Sequence, residues 1–504
     1  MSAMTTVEPG MPPPEPIAVV ESDLLGTSAA GPAALRGSVL RTGAYVLGIL
    51  LSLISAPLLV RHLGVADFGR YVSVLSLVTI VSGFTEGGLN SIVLREFATL
   101  SGARQRQMMR SAVGMRIVLT LLGVAVVVAF AAVAGYGTTL VLGTLLAGFG
   151  LVLQLLQSLL SVTLQAELRF GWASVAELVR QVVNVALLVG LVLAGAGVLP
   201  LLAVAIPASA VSLLFTLPLV IGQTSLRPSF HLGRWWHLLR ETIPWAVISA
   251  VNVVYFRVSI VLMSVVAGAV QTGYFATSFR ITEVLVGIPG LVIGAAFPIL
   301  ARAQRDDRAR FHYASGRIFE LALFAGVWLV LCLEVGAEFA IHVLAANKAD
   351  PAIVVLRIQG AAVLATFVAV ACGFPLLTLR RFRAVLMSNL LALAISASLT
   401  LALAPSLGAR GAALAALVAE LGLAVSQAVM LRRAADGVAL PLMTVVAAGV
   451  AGGAAVAVGL LLPVHPLIGI VVASAVYFAI LALLGRFPPE VAEILSARRT
   501  SAVR

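Results

Sequence analysis

The sequence predicts an all-α polytopic membrane protein of about fourteen transmembrane helices, with two parallel six-helix lobes and two helices appended after them. Three observations predict it. Hydrophobic residues make up 61% of the 504-residue chain and charged residues 11%, and the mean hydropathy is +1.09. That is too little charge to cover a soluble fold of this size. The apolar residues gather in fourteen stretches of about 19–28 residues, each enough to cross a hydrocarbon core of about 30 Å at 1.5 Å per residue. When a residue at a stretch's end is counted with the adjoining connection, 25 of the 33 basic residues fall in alternate connections, on the side that holds the N-terminus. Four (Arg61, Arg70, Lys348, Arg410) fall on the opposite side, and four (Arg180, Arg257, Arg280, Arg357) lie inside stretches.

Taken in order, residues 1–35 are Pro-rich and mildly acidic, with no basic residue before Arg36. They lack the charged start of a signal peptide and are expected to form a disordered tail. The first lobe is expected at 36–221, with spans near 38–60, 71–90, 115–134, 139–163, 174–193 and 198–221. A linker at 222–241 leads to the second lobe at 242–433, with spans near 242–266, 275–299, 315–336, 352–379, 385–404 and 409–431. Two more spans, 441–463 and 466–485, precede a tail at 486–504. The basic asymmetry places both termini in the cytoplasm. It also accounts for the net charge of +12 as inner loops facing anionic headgroups, with no nucleic-acid partner needed. Cys332 and Cys372 sit inside spans, and the six histidines are scattered without a ligand pattern. No catalytic residue, metal or cofactor is therefore expected.

An internal repeat organises the chain. After span 1 the sequence reads Gly64 to Gly69 followed by Tyr71, and after span 7 it reads Gly268 to Gly273 followed by Tyr274. Both are Gly-x4-Gly joining two long spans on the outer side, where glycine suits a tight helix end. Each span pair then leads into an Arg-rich inner segment, with Gly114 and Arg116 in one half and Gly316 and Arg317 in the other. A unit of six spans restores the starting side, so the halves are parallel repeats, a plan common among transporters that bind substrate between the halves.

These residues carry a family resemblance. The run Leu63-Gly64-Val65-Ala66-Asp67-Phe68-Gly69-Arg70-Tyr71 resembles a loop of bacterial polysaccharide flippases, as does Glu86-Gly87-Gly88-Leu89-Asn90 leading to Arg95-Glu96. Phe256-Arg257, Gly273-Tyr274-Phe275-Ala276, Arg280-Ile281-Thr282-Glu283 and Phe297-Pro298 look like the second-half signature. The chain is similar to the Wzx-type oligosaccharide flippases of the multidrug/oligosaccharidyl-lipid/polysaccharide (MOP) exporter superfamily over nearly its whole length after residue 36. The resemblance implies a bacterial cytoplasmic-membrane location and a lipid-linked oligosaccharide substrate. It also implies pathway partners, a glycan polymerase and glycosyltransferases. The chain departs from the family at Ser259, where members often carry an acid.

Ionisable residues inside spans are candidate functional groups, because each costs roughly 2.5–3.5 kcal/mol to insert. Arg257, Arg280 and Glu283 fall at similar depth in the outer half of neighbouring spans 7 and 8. They read either as a structural ion pair or as a site for an anionic diphosphate headgroup, which a guanidinium fork suits. Span 5 carries Glu177, Arg180, Gln181 and Asn184 at offsets 0, 3, 4 and 7, on one helical face. Span 4 offers Gln154, Gln157, Ser158, Ser161 and Gln165. Both stripes lie in the cytoplasmic half and read either as glue between helices or as a wet cavity wall. Pro57, Gly287, Pro289 and Gly290 are candidate hinges.

The expected function is translocation of a polyprenyl-diphosphate-linked oligosaccharide by alternating access. An ion-coupled small-molecule exporter on the same fold is the alternative, with Glu86, Glu177, Glu283, Glu320, Glu334 and Glu420 as candidate coupling acids. A membrane glycan polymerase or glycosyltransferase is the third reading. The longest outer loop, 337–351, offers that chemistry only Glu338 and Asp350.

Overall fold

The structure, a computed structural model, describes residues 30–167, 169–222, 227–434 and 442–486. The expected tails, apart from residues 30–35, which are helical, and residue 486, lie outside the described residues. The first lobe holds α1 (Ala30–Glu86), α2 (Leu89–Thr99), α3 (Gly102–Val133), α4 (Thr138–Ala166), α5 (Phe170–Leu193), α6 (Val198–Ala203) and α7 (Ala205–Val220). The second holds α8 (Leu232–Val266), α9 (Gly268–Asp306), α10 (Arg308–Ala345), α11 (Pro351–Thr378), α12 (Phe382–Leu407) and α13 (Ala409–Ala434). The appended pair is α14 (Leu442–Leu461) and α15 (Pro466–Leu483).

Thirteen segments among the described residues are long and apolar enough to cross a membrane. The first of these continues from span 1 through span 2, which agrees with about fourteen spans. Both spans lie in α1, which is broken at Gly64 (φ 73°, ψ 173°). Only glycine takes such a backbone without steric cost. The matching position in the second half, Gly268 (φ 77°), separates α8 from α9. The same device ends other helices on this side, at Gly135, Gly195 and Gly408, all with positive φ.

Two boundaries differ from expectation. Residues 89–99 form a separate helix, α2, after the left-handed Gly88 (φ 77°), and bury Leu89, Ile92, Val93 and Phe97. Those offsets trace one helical face. Helix α3 starts at Gly102, well before the expected span at 115. Arg116, which its sequence position assigned to an inner connection, therefore lies about 21 Å along a helix. It is 0% exposed.

The second lobe is built around α11, which packs against α9, α10 and α13. In the first lobe α4 packs against α3 and α7, and α5 against α1 and α7. Helices α14 and α15 pack on each other and on α10. Tyr477, itself 0% exposed, donates to the Phe324 carbonyl at 3.1 Å. Between the lobes, α1 lies against α8 and α9. Outward faces stay apolar, as at Val133, Leu193, Leu461 and Leu483, because helices satisfy their own backbone groups and can meet lipid directly.

Candidate functional site

A cavity of about 480 Å³ lies between the lobes, within the size range of ligand pockets. Helices α1 and α5 of the first lobe and α8 and α9 of the second supply its walls.

On α5, Arg180 grips Glu177 with both arms of its fork. Nε donates to Oε2 at 3.0 Å, and Nη2 donates to Oε1. Gln181 Nε2 donates to the same Oε1 at 3.0 Å. Facing them, Arg257 of α8 donates to Glu283 Oε1 of α9, and Arg280 Nη1 donates to Oε2 at 3.1 Å. The Arg257 guanidinium carbon lies 5.6 Å from the Phe279 ring centroid, a cation–π distance. Arg180, Gln181, Asn184, Arg257, Arg280 and Glu283 all line this one cavity. The two constellations, assigned to opposite halves of the membrane by sequence position, thus share a single chamber, because α5 and the α8–α9 pair meet across the lobe interface. Three guanidiniums and two carboxylates give the cluster a net positive charge.

Glu177, Gln154 and Gln157 are not among the lining residues. Gln157 is buried, and its amide donates to Ser161 Oγ at 2.9 Å and to Thr216 Oγ1 at 3.3 Å, tying α4 to α7. At Gln157 the α4 stripe acts as glue between helices, one of the two readings its sequence allows. Periodicity identifies a polar face but not the neighbour that meets it.

Among the hinge candidates, Gly287 lines the cavity and Gly290 has open space where a Cβ would stand. Helix α9 nevertheless runs as one helix through Pro289. The non-helical residue inside α1 is Gly64, seven residues beyond Pro57.

Three features escaped the sequence reading. Gly48 faces Gln181, and a methyl group there would overlap the amide oxygen. Phe279 carries the cation–π contact, and only its place beside Arg280 hinted at it. Arg116 forms a buried polar core in the first lobe. Its Nη1 donates to the Thr85 carbonyl at 2.8 Å and its Nη2 to Asn90 Oδ1 at 2.5 Å, while Asn90 Nδ2 donates to Ser158 at 2.9 Å. Among the described residues no group of three His, Cys, Asp or Glu side chains is placed to hold a metal.

A family model described as polysaccharide biosynthesis protein matches residues 34–304. No curated protein matches. Among solved structures, the lipid II flippase MurJ in an inward closed conformation is similar at a TM-score of 0.75 and 13% identity, over 89% of this chain and 99% of that one. An inward-facing multidrug resistance MATE family transporter of the MOP superfamily is similar at 0.64 and 14% identity, over 79% of this chain and 98% of that one. MATE in the bent conformation is similar at 0.53 and 14% identity, over 82% and 96%. At these identities the likeness concerns the fold.

Proposed function

The chain belongs to the polysaccharide biosynthesis protein family, and from that premise we propose that it is a flippase for a polyprenyl-diphosphate-linked oligosaccharide in the bacterial cytoplasmic membrane. The observation that carries this reading is the inter-lobe cavity, where Arg180, Arg257 and Arg280 converge from both lobes. A diphosphate is the ligand such a cluster suits. Guanidinium forks pair two oxygens at once and stay charged in low dielectric. Asn184 and Gln181 supply amides on the same wall for sugar hydroxyls. The polyprenyl tail stays in the bilayer, so the cavity shelters only the polar headgroup. No covalent step is required of the protein, and the proteins of similar fold are transporters.

A second reading, an ion-coupled exporter, is supported by Glu420. Five of the six candidate acids have an amide or a guanidinium beside them: Glu86 with Asn90, Glu177 with Arg180, Glu283 with Arg257, Glu320 with Arg317, and Glu334 with Arg357. Glu420 instead is buried beside the neutral hydroxyls of Tyr255 and Thr366, and its Oε2 has no hydrogen-bond partner. It lines a second cavity, of about 60 Å³, inside the second lobe.

Purified protein in liposomes carrying a fluorescent polyprenyl-diphosphate oligosaccharide is expected to expose the labelled headgroup to an outside quencher. Protein-free vesicles should not. Protein-containing vesicles that match empty ones, yet move a small organic cation when given an ion gradient, would favour the exporter.

Orientation follows the basic residues. Both termini are proposed to be cytoplasmic. Reporter fusions after Arg504 and within 337–351 are expected to report opposite sides, the first cytoplasmic. A C-terminal fusion active only outside would reverse the assignment.

A further inference from the structure

The two repeat glycines that follow the helix breaks meet each other. Gly69 lies five residues after Gly64, and Gly273 five after Gly268. A Cβ built on Gly69 would overlap the Ala269 carbonyl oxygen and stand 2.7 Å from Gly273 N. A Cβ on Gly273 would overlap the Val65 carbonyl oxygen. Val65 and Ala269 hold the same place in the two repeats, one residue after the first glycine. The contact is therefore reciprocal, backbone on backbone, as expected at a pseudo-two-fold axis. Real Cβ atoms do not approach this closely, so only glycine at both positions lets the lobes come together here.

This contact stands at one end of the cavity. Phe68 and Tyr71, on either side of Gly69, line the chamber, as does Ala276, one turn beyond Gly273. Arg280 follows Gly273 by seven residues, about 10 Å along α9. The end concerned is the one remote from the arginine-rich connections.

A polar tie crosses the lobes at the same end. Arg61 of α1 donates from Nη2 to the Val343 carbonyl at 2.6 Å and to the His342 carbonyl at 3.3 Å. Both carbonyls belong to the last turn of α10, where a cation meets unsatisfied acceptors and the negative end of the helix dipole. Lys348 donates back to the Arg61 carbonyl at 3.1 Å. Arg61 is exposed, so water can replace these bonds when the lobes part.

We propose that Gly69 and Gly273 form the seal that closes the cavity at this end, that Arg61 is its breakable tie, and that parting them gives the headgroup access to the far leaflet. The proposal rests on the alternating-access reading above. It adds where closure occurs and why side chains are excluded there.

The test uses the full chain with Cys332 and Cys372 replaced and cysteine placed at Asn184 on the cavity wall. An impermeant thiol reagent is added outside intact cells. With Gly69 and Gly273 intact, labelling is expected to be slow. Gly273→Ala holds the seal open and is expected to raise the labelling rate at least fivefold. Arg61→Ala adds no bulk, cannot clash, and is expected to raise it about twofold. Gly190→Ala is the control, since a Cβ there meets nothing within 4 Å, and it should leave the rate unchanged. Fast labelling before any seal change would overturn the proposal. So would rates unaltered in Arg61→Ala and in any Gly273→Ala protein that reaches normal abundance. If labelling shifts as expected but the liposomes flip no lipid-linked glycan, the seal stands and the substrate reading falls.

Discussion

Arg257→Ala is expected to cut glycan export about tenfold or more while membrane abundance stays normal. The Arg257 side chain is 20% exposed, it faces the cavity, and it holds Glu283 together with Arg280. Removing it leaves Glu283 paired with Arg280 at 3.1 Å, so no carboxylate is stranded and the fold should survive. What is lost is one fork for an anionic headgroup. A hydrogen bond to a charged group contributes about 1.5–3 kcal/mol, and each 1.4 kcal/mol is about tenfold in affinity. Arg257→Lys keeps the charge without the fork and should fall between. Arg280 is more exposed, at 36%, so Arg280→Ala should cost less. Surface glycan in a deletion strain complemented with each variant, read beside immunoblotted membrane levels, decides the matter. Normal export by both alanine variants would return the cluster to a structural role.

The second large effect is on stability. Arg116→Leu is expected to cost about 2–4 kcal/mol, since it leaves two buried acceptors without their donor, at about 1–3 kcal/mol each when no other partner replaces it. The substitution strands the Thr85 carbonyl and Asn90 Oδ1, both of which now accept from this guanidinium. Little water can enter, since Arg116 is 0% exposed. Detergent-solubilised protein should show a clearly lowered melting temperature and reduced abundance. Adding Asn90→Leu should recover part of the loss, because removing both partners avoids an unsatisfied group. A melting temperature unchanged by Arg116→Leu would show that the network contributes nothing net.

These two arginines also show the reach of the sequence. Arg257 was legible as a candidate because a charge near mid-span is costly anywhere in a bilayer, whatever surrounds it. Arg116 was not, because it stood at the very start of the span expected from 115 and so counted with the inner connection, whereas the helix begins at Gly102. Fourteen apolar stretches, their alternation of basic connections and the repeated Gly-x4-Gly needed no coordinates. They follow from local requirements: length against bilayer thickness, the charge rule for short loops, and the backbone freedom of glycine. Tertiary structure alone decided which polar faces meet. It joined Arg180 to Arg257 and Arg280 in one chamber, turned Gln157 inward against Thr216, and set Gly69 against Gly273. Helical periodicity gives a side chain a direction about its own axis, but the partner on that side depends on how helices distant in sequence pack. In this chain α1, broken at Gly64, packs on α5 of its own lobe and on α8 and α9 of the other.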